Sequence, residues 1–421
     1  MAVERHSKSG FVVARQVWRA IAPVNLRRVT QPLAMWARLQ QVERAIASGE
    51  HAHRPGPLIV SGLGSGSKGI SEGMRLTLAG LLFAGFAPIV DDLRPQFGKR
   101  SGSWPPLVPE REGGVWIIHL NPPEMAYALS EIPSASWLGR YRIGYWAYEL
   151  ERVLPAWVRA ANYLHEIWTP SRFVAEALIR SGVKIPVRVM PHPVALGAGA
   201  TRAVEAPSQL DGKLFQVLAL GDIASSLSRK NLIGAIAAYV RAFQSTDVAR
   251  LIIKTSKPEA HSRLLDVIRK AAAQRPDISV ISDDLSATEM KQLIASSSVL
   301  LSLHRAEGFG LALAEAFLAD VPALATGWSG NLEFMDQTPE LLVQCSLVPV
   351  RDSAGVYRSR DLSWAEPDID DAARKLRDLA GAPELRLQLA RRGRTAVEAL
   401  SQAWRRDVLM ATPLAAYVDQ H

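Results

Sequence analysis

The chain has 421 residues, 48% of them apolar, and a formal net charge of +8. That length exceeds one ordinary hydrophobic core, so two domains of about 200 residues each are expected. Its single cysteine, Cys345, excludes an intramolecular disulfide and fits a reducing compartment. The longest largely apolar run, Leu76 to Val90, covers about 15 residues and is interrupted by Gly80, Gly85 and Pro88, too short and broken for a membrane span. No apolar segment of the N-terminus has the form of a signal peptide. The protein is therefore expected in the cytoplasm.

Most of the excess charge lies at the start. Residues 1–55 carry nine Lys/Arg against three Glu and are read as a basic N-terminal extension. Phe11-Val-Val-Ala-Arg-Gln-Val-Trp18-Arg-Ala-Ile21 places apolar and basic residues at helical spacing. Residues 1–50 are thus suited to an anionic membrane surface, which would make the protein peripheral on the inner face of the cytoplasmic membrane. They are equally suited to packing as a helix on the first domain. No RNA- or DNA-binding motif accompanies the charge, so no nucleic-acid partner is expected.

After Pro57 the pattern becomes α/β. Strands are predicted at Leu58–Gly62, Ala87–Asp91, Val115–His119, Arg142–Trp146, Glu166–Trp168 and Val187–Met190, with helices at Ser71–Phe86, Ala156–Leu164 and Arg172–Ile179. Residues 95–112, rich in Pro, Gly and Ser, read as a loop. Residues 195–212 read as an interdomain linker. A second block follows, with strands at Phe215–Leu220, Ala249–Thr255, Ile278–Ser282, Val299–His304 and Ala323–Thr326. Helices from Ile369 to Asp419 close the chain. Alternation of this kind implies two doubly wound, Rossmann-like domains, over residues 56–200 and 212–400, facing a cleft. The last stretch, 401–421, is expected to cross back to the first domain.

Three strand-to-helix turns carry candidate chemistry. Gly62-Leu-Gly64-Ser-Gly66-Ser67-Lys68-Gly69 contains G-x-G-x-x-G, and Asp91-Asp92 ends the next strand. That is the dinucleotide-binding fingerprint in context, so an NAD-dependent oxidoreductase is one reading and a flexible turn another. Second, Arg229-Lys230-Asn231 enters a helix after Gly221-Asp222. A basic pair at a helix start opposes the macrodipole unless an anion is bound, and two cations there can clamp a diphosphate. Third, Glu307-Gly308-Phe309-Gly310-Leu311 leads from a strand into a helix that carries Glu315. Unpaired amides at that helix start suit a phosphate or hydroxyl flanked by two carboxylates, although Glu307 and Glu315 could also be solvated helix-start residues.

His119 ends a strand whose carboxyl end should face the cleft; it is a site candidate or a satisfied core histidine. Trp146, Tyr148 and Glu149 at another strand end could stack on and hydrogen-bond a sugar or lipid-linked acceptor. No Cys/His cluster has metal-ligand spacing. Asp368-Ile-Asp370 reads as a helix cap rather than a cation site. No cofactor or metal is expected.

Together these motifs resemble the GT-B-fold retaining glycosyltransferases of family 4. Glu307 and Glu315 match that family's E-x7-E, Gly308-Phe-Gly-Leu matches the turn between them, and Arg229-Lys230-Asn231 is similar to its diphosphate loop. Ile167-Trp-Thr-Pro-Ser171 and Trp364-Ala-Glu-Pro-Asp368 resemble patches of bacterial members. The resemblance covers roughly residues 57–420; Leu313 departs from it, standing where the family usually has proline.

It implies retaining, metal-independent transfer of a hexose from a nucleotide-sugar such as GDP-mannose or a UDP- or dTDP-sugar. The acceptor would be a saccharide or lipid-linked hydroxyl in cell-surface polysaccharide or glycolipid synthesis. Arg229 and Lys230 would hold the diphosphate, Glu315 the ribose and Glu307 the donor sugar. Amides of Gly308 to Leu311 would contact sugar or phosphate, and the Gly66–Ser67 loop would close over the donor. His119 would match the cleft histidine. A sugar-nucleotide epimerase on the same fold is the remaining alternative.

Overall fold

The computed structural model describes residues 37–49, 53–63, 69–94, 113–197, 214–222, 226–256, 262–352, 357 and 361–419. Gly66 and Ser67, the apolar-basic segment 11–21 and most of the expected linker lie outside them.

The first sheet holds six parallel strands, β1 (Leu58–Gly62), β2 (Ile89–Asp92), β3 (Val115–His119), β4 (Tyr141–Tyr145), β5 (Glu166–Thr169) and β6 (Val187–Val189). Their spatial order is β2-β1-β3-β4-β5-β6. The second sheet holds β7 (Phe215–Gly221), β8 (Ala249–Thr255), β9 (Ile278–Ile281), β10 (Val299–Ser302), β11 (Ala323–Thr326) and β12 (Leu342–Val343). These are also parallel, in the order β12-β11-β10-β7-β8-β9. Near-continuous burial along β1, β3, β5, β7 and β8 is what a sheet covered on both faces requires.

In each sheet the order reverses at one place, between β1 and β3 and between β7 and β10. Such a switch point opens a crevice at the carboxyl ends of its two strands, because the following helices leave to opposite faces. The glycine loop and His119 leave the first switch point. Arg229-Lys230 and Glu307 leave the second. Topology alone therefore places the motifs.

The sequence passed over several elements, the edge strand β12 among them. A helix, Pro122–Glu131, follows β3, with Pro122 and Pro123 in its first turn, where a missing amide hydrogen is harmless. An antiparallel hairpin, β13 (Cys345–Pro349) and β14 (Ser363–Pro367), rises beside the second sheet. Asp368 then caps the helix Ile369–Gly381, its carboxylate accepting from the amides of Asp370 and Asp371.

The two ends of the described chain pack on the first sheet. In the helical residues 37–47, Leu39 and Val42 enter the first core, and Glu43 pairs with Arg159 and accepts from Tyr163. At the other end, Trp404 is fully buried against Gly80 and donates its indole N–H to the Pro191 carbonyl, 2.6 Å away. Val418 bridges to Gly56.

Candidate active site

On the second sheet the site is built from two adjoining turns. Ser226 sits at φ 102°, outside the usual region for a side-chain-bearing residue; its hydroxyl accepts from the Arg229 amide and donates to Asp352. Asn231 is left-handed at φ 52°. It ends the short turn Leu227–Lys230, and its side chain caps the helix Leu232–Ala242 by accepting from Gly234. Between these two fixed points Arg229 and Lys230 project toward β10.

There Glu307 meets both. Its carboxylate lies 3.1 Å from Arg229 Nη1 and accepts from Lys230 Nζ; Arg229 also donates to the Ala306 carbonyl at 2.8 Å. Burial opposes ionisation of Glu307, but Lys230, Arg229 and His304 outweigh it and hold the carboxyl well below its usual range. Burial likewise works against the Arg229 charge, which Glu307 and Glu149 sustain. Arg229 is 3% exposed, so this is a charge cluster with little water to screen it.

The turn after Glu307 is held from both sides. Gly310 at φ 94° precedes the helix Leu311–Leu318, a conformation a side chain would strain. Gly330 lies so close that an added Cβ would stand 2.1 Å from the Gly308 carbonyl oxygen. That carbonyl accepts from Ser171, the N-cap of the helix Arg172–Arg180 on the first sheet. The patch around Ser171 is therefore a bridge between the two halves. Phe309 is buried against His192 and Phe334, so its backbone, not its ring, faces the turn. Gly308 lies against the Tyr148 backbone and Leu311 against Gly69.

Glu315 lies deeper in the same helix, partly covered. Burial, reinforced by Glu72 on the first-sheet helix Gly69–Phe83, pushes its carboxyl up to about 7, against the opposing Lys291. It lies within the helix Leu311–Leu318, whereas Glu307 lies in the turn before it.

Across the cleft the first sheet presents neutral rings. His119 is buried and stacks on Tyr145 at 4.5 Å between centroids, and Tyr145 stacks on His192 at 5.2 Å. Tyr145 donates to the Met190 carbonyl, so its oxygen is left to accept from Nδ1–H of His192. Burial lowers the pKa of both histidines, that of His192 to about 3. Nε2 of His119 is buried with no hydrogen-bond partner. Tyr145 carries no signal in the sequence, and His192 none beyond a histidine that lacks an obvious nucleophile partner, until the fold stacks the two rings.

The proposed acceptor residues divide. Trp146 is fully buried and packs edge-on against Trp157 in the first core, so its ring does not face the cleft and cannot stack on an acceptor there. Tyr148 is 8% exposed and lies beside Gly308. Glu149 stands 3.7 Å from Arg229 Nη2, joining the cation cluster from the opposite sheet.

The dinucleotide reading loses its acidic partner. Asp91 accepts from the Ser61 hydroxyl and Asp92 binds Arg94 through both oxygens, both aspartates being buried. Neither presents a carboxylate to a ribose at the end of β2.

The sequence signature described as Family 4 Glycosyltransferase in conflict systems matches residues 173–405, more than half of the chain. The chain belongs to the family 4 glycosyltransferases. No curated protein sequence matches it. Among solved structures it is similar to a glycosyltransferase from Rickettsia africae, with 13% identity over 86% of this chain and 98% of that one and a TM-score of 0.57. It is similar also to Anabaena HepE, with 12% identity over 84% and 96% and a TM-score of 0.55. Against TarM from S. aureus the identity is 11%, over 69% of this chain, and the TM-score 0.50. The chain spans only 54% of TarM. At these identities the likeness establishes the fold: two facing parallel α/β sheets of the GT-B kind, as family 4 membership leads one to expect. Among the described residues no helix is long and apolar enough to cross a membrane.

Proposed function

We propose that this family 4 glycosyltransferase moves a hexose from a nucleoside-diphosphate sugar to a hydroxyl acceptor with retention at the anomeric carbon, without needing a metal. The observation that carries this reading is the meeting of Arg229, Lys230 and Glu307 at the second switch point, with His119 at the first. Departure of a nucleoside diphosphate builds negative charge on the β-phosphate. Two fixed cations in a poorly screened cleft oppose that charge, which is the service a metal would otherwise give.

Glu307 takes the donor sugar's hydroxyls as an ionised acceptor, and Glu315 takes those of the ribose. The amides of Gly308 to Leu311 supply further donors, and the loop holding Gly66 and Ser67 covers the donor from the first domain. Neutral His119 offers Nε2 to a hydroxyl of the transferred sugar. Tyr148 and Glu149 border the acceptor side. In this reading residues 56–200 form the acceptor domain, 212–400 the donor domain, and 401–421 return to the first.

The acceptor is a saccharide or a lipid-linked saccharide of cell-surface polymers, reached from the cytoplasm with the part of residues 1–50 that precedes the packed helical residues 37–47 against an anionic membrane. HepE and TarM are each described in complex with UDP, which puts UDP-sugars first among donors to try, ahead of GDP-mannose and dTDP-sugars. The test is turnover of a donor panel in the presence of EDTA, with the product's anomeric configuration read by NMR. Retained configuration with EDTA present is expected. Inversion, or strict dependence on an added divalent cation, would overturn the proposal. Donor turnover without any acceptor would favour an epimerase.

A further inference from the structure

The hairpin β13–β14 is stitched to the diphosphate loop. Arg305, two residues before Glu307, binds Glu366 of β14 through two nitrogens, donates to the Ser228 carbonyl and lies over the Trp364 ring. Its own amide donates to the Arg229 carbonyl, and its carbonyl accepts from Ala365. Beyond β13, Asp352 accepts from Ser226 with one oxygen and from the Tyr357 amide with the other. Tyr357, between the two hairpin strands, is thereby brought over the cation cluster, beside Tyr148. Its phenol stands close enough to Glu149 for that carboxylate to oppose ionisation of the hydroxyl.

Two cations and two carboxylates therefore share the cluster, and the second carboxylate comes from the other sheet. Glu307 belongs to the same turn system as the cations. Glu149 does not: it approaches Arg229 across the cleft, with Tyr357 beside it. A diphosphate reaching Arg229 and Lys230 would bring its oxygens against a carboxylate already seated there. Like charges cannot share one partner at low dielectric without cost.

We propose that Glu149 is the displaceable anion of the diphosphate subsite, held on Arg229 with the help of Tyr357 of the hairpin and displaced when a nucleoside diphosphate binds, while Glu307 stays in place. The pair acts as a latch across the cleft, and the donor opens it by taking the place of Glu149 on Arg229. Glu149 is then free to turn to the acceptor side, and Tyr357 loses its partner, so the hairpin reports donor occupancy. This inference rests on the donor reading given above and names a regulation of that same site. Tyr357 acts through Glu149 and is a positioning residue.

The test is calorimetric affinity of the full chain for UDP, GDP and dTDP and for the matching nucleosides. Glu149→Gln keeps size and accepting oxygen but removes the charge; it should tighten diphosphate binding about tenfold and leave nucleoside binding unchanged. Tyr357→Phe should tighten it less, about threefold, and add nothing in the Glu149→Gln background. A purely structural role would weaken diphosphate and nucleoside together. Unchanged or weaker diphosphate binding by Glu149→Gln overturns the proposal, as does a Tyr357→Phe effect that persists in the double variant. If Glu149→Gln does not fold, Tyr357→Phe decides alone: tighter diphosphate binding supports the latch, and no change refutes it. Binding of no diphosphate by the unaltered protein would instead remove the donor reading, and the latch with it.

Discussion

At the carboxyl ends of the first sheet His119, Tyr145 and His192 stack as neutral rings, whereas at those of the second Arg229, Lys230 and Glu307 form a charged knot. Both crevices arise from the same topological reversal, so the fold does not explain the difference. Their surroundings do. The first crevice lies under aromatic side chains, where burial strips protons from imidazole; the second gathers carboxylates around cations, so burial is offset pair by pair. One wall can orient a ligand by neutral hydrogen bonds, and the other can take up charge as it develops.

The largest expected effect tests the charged wall. Lys230→Met leaves Glu307 paired with Arg229, so the fold should survive, with kcat/KM falling by about 10²–10³. Steady-state kinetics beside a melting curve checks this; near-normal turnover would mean that the knot is structural only. The neutral wall should give a smaller loss. His119→Leu removes one hydrogen bond at Nε2 and should lower kcat/KM about ten- to a hundredfold. Because the ring is already neutral, the shape of the pH profile between pH 6 and 8 should not change. A profile that loses an inflection with His119 would show the first wall to be ionising after all.

The smallest effect concerns Glu315, whose carboxyl burial raises to about 7. A carboxyl raised in the folded state binds its proton more tightly there than in the unfolded chain. Its contribution to stability is therefore complete below the ordinary value of 4.5 and lost as pH rises through about 7. Glu315→Gln removes that dependence. The melting temperature of the variant relative to wild type should climb between pH 5 and pH 8, by about 2–4 °C for each kcal/mol involved. A constant difference would show that Glu315 does not titrate near neutrality.

The same contrast decides what could be read from the sequence. Charges at strand ends are visible in one dimension: Arg229-Lys230 is conspicuous because it opposes a helix dipole, and Glu307 and Glu315 because glycines frame them. Strands β1, β3, β8 and β11 were legible to the residue, since short, largely apolar runs between helical stretches leave few alternatives. The stacked rings were not. His192 and Tyr145 lie 47 positions apart and meet only when β4 and the end of β6 align. Trp146 is a stacking candidate in the sequence because it stands at a strand end, yet one residue beyond β4 it turns into the core. Tyr357 gave no signal, being tied to the site by Asp352 and Arg305 rather than by any local pattern. The chain's aromatic residues thus misled where its charged ones informed.

The measurement that tests the central claim most directly is calorimetry of UDP, GDP, dTDP and NAD⁺ with the wild-type chain and Lys230→Met, in the presence of EDTA. One nucleoside diphosphate should bind the wild type without added metal, at least tenfold more weakly to Lys230→Met, and NAD⁺ should not compete. Binding of NAD⁺ with none of the diphosphates, or equal diphosphate affinity in both proteins, would contradict the donor site at Arg229, Lys230 and Glu307.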